Sequence, residues 1–293
     1  MTDSSDSASP EPRVTFPAIA LLGAGSMGRA ILSGLSTPQV RVDGAVAVTA
    51  RSERALAQVS RFPGLVTMAT ETDAAANRRA VEGAHIVVVA VKPALVPGLL
   101  RDIARALLPG SVVVSVAAGV TIASMEAELP ETVAVVRAMP NTPALVGKAV
   151  TGVSTGSRST SEQGAMIRAL FETVGTVVEV PESQIDALST ISGSGPAYVF
   201  ALIEALTSAA CEKGFSPEVA RTLVNHTFLG AAQLLVTSGE DPAELRRRVT
   251  SPGGTTERAL HVLSQADLPA LFGRATDAAL ARARELAQPT GSW

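Results

Sequence analysis

Phe16-Pro17-Ala18-Ile19-Ala20-Leu21-Leu22-Gly23-Ala24-Gly25-Ser26-Met27-Gly28 reads as an apolar strand, a glycine turn and the opening of a helix. The turn matches G-x-G-x-x-G, and its place directly after a strand is what gives the match weight. Gly23 permits a tight turn, Gly25 lets a pyrophosphate approach the backbone, and Gly28 lets the helix pack closely on the strand. The free N–H groups and positive dipole end at that helix start suit phosphate.

The pattern around this unit repeats its logic. Ala45–Thr49, Ile86–Val91, Ser111–Val116, Thr132–Arg137 and Thr176–Val180 are short, β-branched and apolar. Helical stretches lie between them at Arg29–Leu35, Glu53–Arg61 and Leu95–Leu108. Continuous apolar strands alternating with helices predict a mostly parallel, doubly wound α/β sheet of Rossmann type over residues 16–180. From residue 181 to 293 the spacing is helical: Ser183–Ile191, Pro196–Lys213, Pro217–Thr237, Pro242–Val249, Thr255–Leu263 and Leu268–Leu286. Gly214 fits a C-cap, and Ser216-Pro217 an N-cap followed by proline at the first helical position. Residues 1–15, acidic and rich in Ser and Pro, read as a disordered tail without the basic and apolar regions of a signal peptide.

Composition excludes whole classes. Seven Phe, one Trp and one Tyr are too few aromatic faces for a stacking platform on single-stranded nucleic acid. A net charge of −3 leaves no basic footprint for a nucleic-acid partner. No run reaches the ~18 charge-free apolar residues of a membrane span, so a cytoplasmic protein is expected. Cys211 alone makes neither a disulfide nor a metal cluster, and His85, His226 and His261 have no metal-ligand spacing, so no metal is expected.

Strand ends select the cofactor. An NAD site usually has Asp or Glu about 20 residues beyond the glycines to bind the ribose 2′-hydroxyl. Here the second strand ends in Thr49-Ala50-Arg51-Ser52, and a guanidinium with a hydroxyl suits a 2′-phosphate. NADPH is therefore predicted, with NADH weaker. Ala90-Val91-Lys92-Pro93 and Val116-Ala117-Ala118 end two further strands, where ligands of such sheets bind. After the next strand, Asn141 is the main amide side chain of a loop stiffened by Pro140 and Pro143. In the helical half, Thr250-Ser251-Pro252-Gly253-Gly254-Thr255-Thr256 offers an anion nest at a helix start, suited to a small carboxylate. Thr255 and Thr256 fit plain N-cap positions equally well. With no metal and no acid–base dyad evident, nicotinamide chemistry remains, and hydride transfer to a substrate that arrives protonated would need no strong side-chain acid.

At these residues the chain resembles the pyrroline-5-carboxylate reductase family. Val249–Leu260, VTSPGGTTERAL, is the most specific stretch, supported in order by Gly23–Gly28, Ala90–Pro93, Met139–Ala144 and Ser192–Tyr198. The resemblance implies NADPH-dependent reduction of the cyclic imine 1-pyrroline-5-carboxylate to L-proline, the last step of proline biosynthesis. It implies a homodimer with interlocked helical domains, and in some members a decamer of five dimers. Leu22, Gly23, Ala24, Gly25, Ser26 and Met27 would then cradle the pyrophosphate, and Arg51 and Ser52 the 2′-phosphate. Asn77 falls where the family has a cofactor-contacting Asn, and Ala90–Pro93 with Val116–Ala118 would line ribose and nicotinamide. Ser251, Gly253, Gly254 and Thr255 would hold the substrate carboxylate, Thr256 the ring nitrogen, and Glu182 falls near the substrate. Arg248 stands where some members have Asn, and that contact is not carried over. Other readings are a β-hydroxyacid dehydrogenase or related imine reductase, which needs a helical-domain lysine that only Lys213 could supply, and a non-catalytic NADP-binding regulator.

Overall fold

Side chains alternate between the two faces of a strand, so a strand covered on both sides must be apolar at consecutive positions. The computed structural model describes residues 14–287. Its strands are β1 (Val14–Leu22), β2 (Val40–Ala50), β3 (Leu65–Ala69), β4 (Ile86–Val89), β5 (Val112–Ser115), β6 (Ala134–Met139), β7 (Ala149–Thr155) and β8 (Gly175–Glu179). They form one sheet in the order β3-β2-β1-β4-β5-β6-β7-β8. All neighbours are parallel except β6 and β7. Among the strands, α1 (Ser26–Leu35), α2 (Glu53–Leu56), α3 (Ala76–Val81), α4 (Val96–Ile103), α5 (Ile122–Glu126) and α6 (Ser161–Glu172) follow in chain order.

β4 shows why the runs are unbroken. Ile86 and Val88 join Ile31 and Leu32 of α1 and Phe171 of α6 in one core, while Val87 and Val89 join Leu100 and Ile103 of α4 in the other. This is the Rossmann-like, mostly parallel sheet with helices on both faces.

Helices alone follow β8: α7 (Glu182–Leu188), then one π-helical turn at Ser189–Gly193, α8 (Gly195–Glu212), α9 (Pro217–Ser238), α10 (Pro242–Arg248), α11 (Thr255–Ser264) and α12 (Leu268–Ala287). Ser216 caps α9 by accepting from Val219 N, with Pro217 at the first helical position. Described residues up to Gly193 and from Leu280 on form one compact unit, and Ser194–Ala279 a second. Compactness thus divides the chain later than residue 181, because α7 stays with the sheet. Up to Arg13 the expected tail lies outside the described residues, whereas Val14 and Thr15 already belong to β1.

In Ser194–Ala279 only Ala220 and Val224 are buried apolar residues. Phe200 and Leu229 are each 64% exposed and Val236 79%. Apolar helices this open lack the core that such residues normally build.

Three expected helices are shorter than expected. Glu53–Arg61 is helical only to Leu56, Leu95–Leu108 holds α4 between two 3₁₀ turns, and Ser183–Ile191 gives way to the π turn after Leu188.

An ion pair between a buried arginine and two partly exposed carboxylates ties α7 to the sheet. Arg137 on β6, 4% exposed in its side chain, donates from Nη2 to Asp186 Oδ1 at 2.5 Å and lies 3.5 Å from Glu182 Oε1. Removing the buried arginine leaves two partly desolvated carboxylates facing each other without their cation. Arg137→Met is therefore expected to lower the unfolding free energy by about 3 kcal/mol in urea titration. A loss below about 1 kcal/mol would show that the pair does not brace the sheet.

Candidate functional site: a dinucleotide crevice and a carboxylate loop

The strand order reverses between β1 and β4, and such a reversal opens a crevice beyond the carboxyl ends of the strands. The β1–α1 turn lies there. Gly23, at φ +113°, donates from N to Thr49 O at 3.0 Å, while Ala90 N donates to Leu22 O at 2.8 Å. A Cβ on Gly23 would lie 2.5 Å from Ala90 O, and one on Gly28 2.2 Å from Gly23 O. Both glycines are forced by packing. Around Gly25, in contrast, no atom lies within 4 Å of a Cβ position. That space opens at the N-terminus of α1, whose first-turn N–H groups have no intrahelical partner. Gly25 and Ser26 are exposed, Met27 half-buried and Ala24 buried, so Ala24 can offer only its backbone.

β2 ends beside the same crevice. Arg51 is exposed, and its carbonyl accepts from Glu71 N at 3.0 Å. Ser52 caps α2, accepting from Ala55 N at 3.3 Å, and a hydroxyl that accepts still has its own proton to donate. Thr49, 2% exposed, donates to Asn77 Oδ1 at 2.7 Å and so draws the start of α3 to the end of β2. Ala90 and Val91 are half-buried, and Lys92 and Pro93 exposed, at the end of β4. After β5, Val116 is half-buried, Ala117 buried and Ala118 exposed.

Two expected contacts are engaged in the fold itself. Asn141, 7% exposed, donates from Nδ2 to Ser192 O at 2.8 Å and accepts at Oδ1 from Val150 N at 2.9 Å. Its amide pins the loop after β6. Glu182 Oε1 accepts from Ile122 N at 2.7 Å and faces Arg137, so its carboxylate holds the start of α5, just beyond Val116–Ala118. The sequence reading missed Thr49 as Asn77's partner, because a hydroxyl in a buried strand carries no pattern of its own.

In the second unit, Gly253 (φ +71°) and Gly254 shape the turn into α11. Gly254 N donates to Ser251 O at 2.9 Å, and Gly253 N donates to Glu257 Oε2 at 2.9 Å. Thr256 is half-buried in the first turn, while Ser251, Gly253 and Thr255 are exposed. Glu257 was not foreseen, although Glu three residues after an N-cap is a capping signal. Arg248 turns back along α10, Nη2 to Glu240 Oε2 at 2.5 Å and Nε to Glu244 Oε1 at 3.1 Å. Hydrogen bonds to Glu244 and then Glu240 raise its pKa above the ordinary guanidinium value. Lys213 stands exposed at the C-cap of α8.

A cavity of about 610 Å³ lined by Val153, Thr155, Thr160 and Glu179 lies at the opposite edge of the sheet, since Thr155 pairs with Val136 at the β6 start. Among the described residues no helix is long and apolar enough to cross a membrane, and no group of three or more His, Cys, Asp or Glu is placed to hold a metal.

Comparison with known proteins adds to this geometry. A model of the pyrroline-5-carboxylate reductase dimerisation region matches residues 182–286, and one of coenzyme F420-dependent NADP oxidoreductases matches residues 18–119. The pyrroline-5-carboxylate reductase of Pseudomonas aeruginosa is 39% identical, covering 95% of this chain and 100% of its own. A solved pyrroline-5-carboxylate reductase from Coxiella burnetii aligns with a TM-score of 0.85 at 36% identity, over 92% of this chain and 98% of that one. The Plasmodium falciparum pyrroline carboxylate reductase, solved with NADP bound, aligns at 0.78 and 25% identity, over 92% and 98%.

The two kinds of glycine in the turn separate in experiment. Gly25→Ala is expected to leave the melting temperature within about 2 °C while weakening dinucleotide binding about tenfold or more, because its Cβ meets only ligand space. Gly28→Ala should lose both, as its Cβ meets backbone. Equal melting losses in both variants would remove the distinction.

Proposed function

The chain belongs to the pyrroline-5-carboxylate reductase family, and from that premise we propose that it reduces 1-pyrroline-5-carboxylate to L-proline with NADPH. It is an oxidoreductase acting on a C=N bond, in the last step of proline biosynthesis. The observation that carries the reading is the open space at Gly25, set at a helix N-terminus where the strand order reverses. That void fits a pyrophosphate, which needs close backbone approach and unpaired N–H donors.

Residues 16–180 form the cofactor domain in this reading and residues 181–293 the dimerisation and substrate domain. Leu22–Gly28 hold the pyrophosphate. Arg51 and the Ser52 hydroxyl meet the 2′-phosphate, Asn77 is set by Thr49 toward the same end, and Ala90–Pro93 with Val116–Ala118 line the ribose and ring. Asn141 and Glu182 position these loops from behind.

Bound nicotinamide supplies the hydride that adds to C5 of the imine. The protein's part is to hold the substrate. Ser251–Thr255 receive its carboxylate, and the Thr256 hydroxyl hydrogen-bonds the ring nitrogen. A threonine hydroxyl is too weak an acid to supply a proton near neutral pH. The imine is reduced as its iminium, the hydride completes the C–H bond, and Thr256 orients the nitrogen as charge leaves it. A hydrogen bond that strengthens in the transition state is worth about 2–4 kcal/mol.

The exposed apolar helices of residues 194–279 support a homodimer, since a second copy can cover them. Five such dimers in a decamer and a cytoplasmic location, where soluble substrate and cofactor meet, complete the proposal.

Absorbance at 340 nm should fall when pyrroline-5-carboxylate is added with NADPH, and not with a hydroxy acid. No turnover with the folded dimer would refute the activity. Thr256→Ala should lower kcat about 100-fold with NADPH affinity retained; turnover near wild type would remove its role. Arg51→Ala should weaken NADPH about tenfold or more and NADH little. An unchanged ratio would show that another group reads the 2′-phosphate.

A further inference from the structure

The loop read above as the carboxylate site already contains a carboxylate. Glu257, in the first turn of α11, reaches back so that its Oε2 accepts from Gly253 N at 2.9 Å. Gly254 N is directed at Ser251 O. Both glycine N–H groups are therefore engaged inside the protein. A helix start favours negative charge whether a ligand or a side chain brings it, so Glu257 and a bound acid compete for the same field. A single N–H directed at one carboxylate oxygen is withdrawn from another.

We propose that Glu257 is a specificity-determining residue, an internal carboxylate that the substrate's carboxylate displaces from Gly253 N–H. The proposal rests on the reading of Ser251–Thr256 as the substrate-carboxylate site. Substrate binds the fraction of molecules in which Glu257 has swung away, and its apparent affinity is reduced by that fraction. Glu257 is exposed, so water receives its charge once it leaves, and the exchange is reversible. The rival role is a brace, in which Glu257 shapes the turn for substrate. The two roles predict opposite signs: removing a competitor tightens carboxylate binding, and removing a brace loosens it.

The test uses the full-length chain with NADPH and compares pyrroline-5-carboxylate with 1-pyrroline, which has the same imine and no carboxylate. Glu257→Gln keeps the shape and removes the charge, and Glu257→Ala removes the acceptor, with thermal melting confirming that each folds. The expected result is a fall of about three- to tenfold in KM for pyrroline-5-carboxylate, a similar tightening of L-proline inhibition, and an unaltered KM for 1-pyrroline. KM for pyrroline-5-carboxylate that stays constant or rises, or that shifts equally for both imines, overturns the proposal. Ser251→Ala separates this from the underlying reading. If it raises KM for the carboxylate-bearing imine alone while Glu257→Gln does nothing, the loop is the site and only the competitor role falls. If it moves neither KM and wild type does not discriminate between the imines, the site reading itself falls.

Discussion

The backbone at the end of β1 passes so close to that of β4 and of its own following helix that no side chain fits at Gly23 or Gly28. This approach fixes where α1 begins and aims its N-terminus beyond the sheet edge. Because β1 and β4 are the pair at which strand order reverses, the aimed helix end and the open crevice coincide. The loops after β2, β4 and β5 then meet at one edge as a consequence of parallel topology. None of their residues needs to be close in sequence.

What was legible in the sequence follows from how strongly burial constrains each element. β4, the Ile19–Leu22 half of β1 and Val112–Val114 of β5 are covered on both faces, so their positions are apolar and buried in succession and the runs stand out. β3 and β7 do not stand out. β3 has only Ala69 fully buried among its five residues, and the run of β7 is broken by Gly152, where a Cβ would lie 2.6 Å from Leu188. The glycine turn and the Ser251–Thr256 loop were legible because glycine and proline punctuate backbone directly. Polar partnerships were not. Asn141 and Glu182 are residue types that serve a ligand or the fold equally well, and only the positions of Ser192 O, Val150 N and Ile122 N reveal the work they do in the fold.

The scarcity of aromatic residues, only seven Phe, one Trp and one Tyr, takes on meaning in the second unit. Ala-rich helices bury little area each and gain stability only when several approach closely. α8, with 18 residues, has none of them buried, and Phe200, Leu202 and Leu206 all face outward in the single chain. A second copy that covers these faces adds stability to the unit, and that part of its stability depends on protein concentration.

Side-chain carboxylates at unpaired backbone N–H groups recur along the chain, and their surroundings separate their roles. Glu182 takes Ile122 N while Arg137, nearly inaccessible to water, holds it from the other side. Releasing it would leave a buried cation without one of its counter-ions, which makes it a fixed brace. Glu71, exposed, takes Glu53 N two residues beyond Arg51. Glu257 takes Gly253 N where it is exposed in the single chain. Solvation is therefore the deciding quantity. A carboxylate whose release exposes another charge stays, and one whose release returns it to water can yield to a better-placed acid. By that criterion Glu182 stays on the start of α5, whereas Glu257 is the carboxylate that can give up its backbone N–H to another acid.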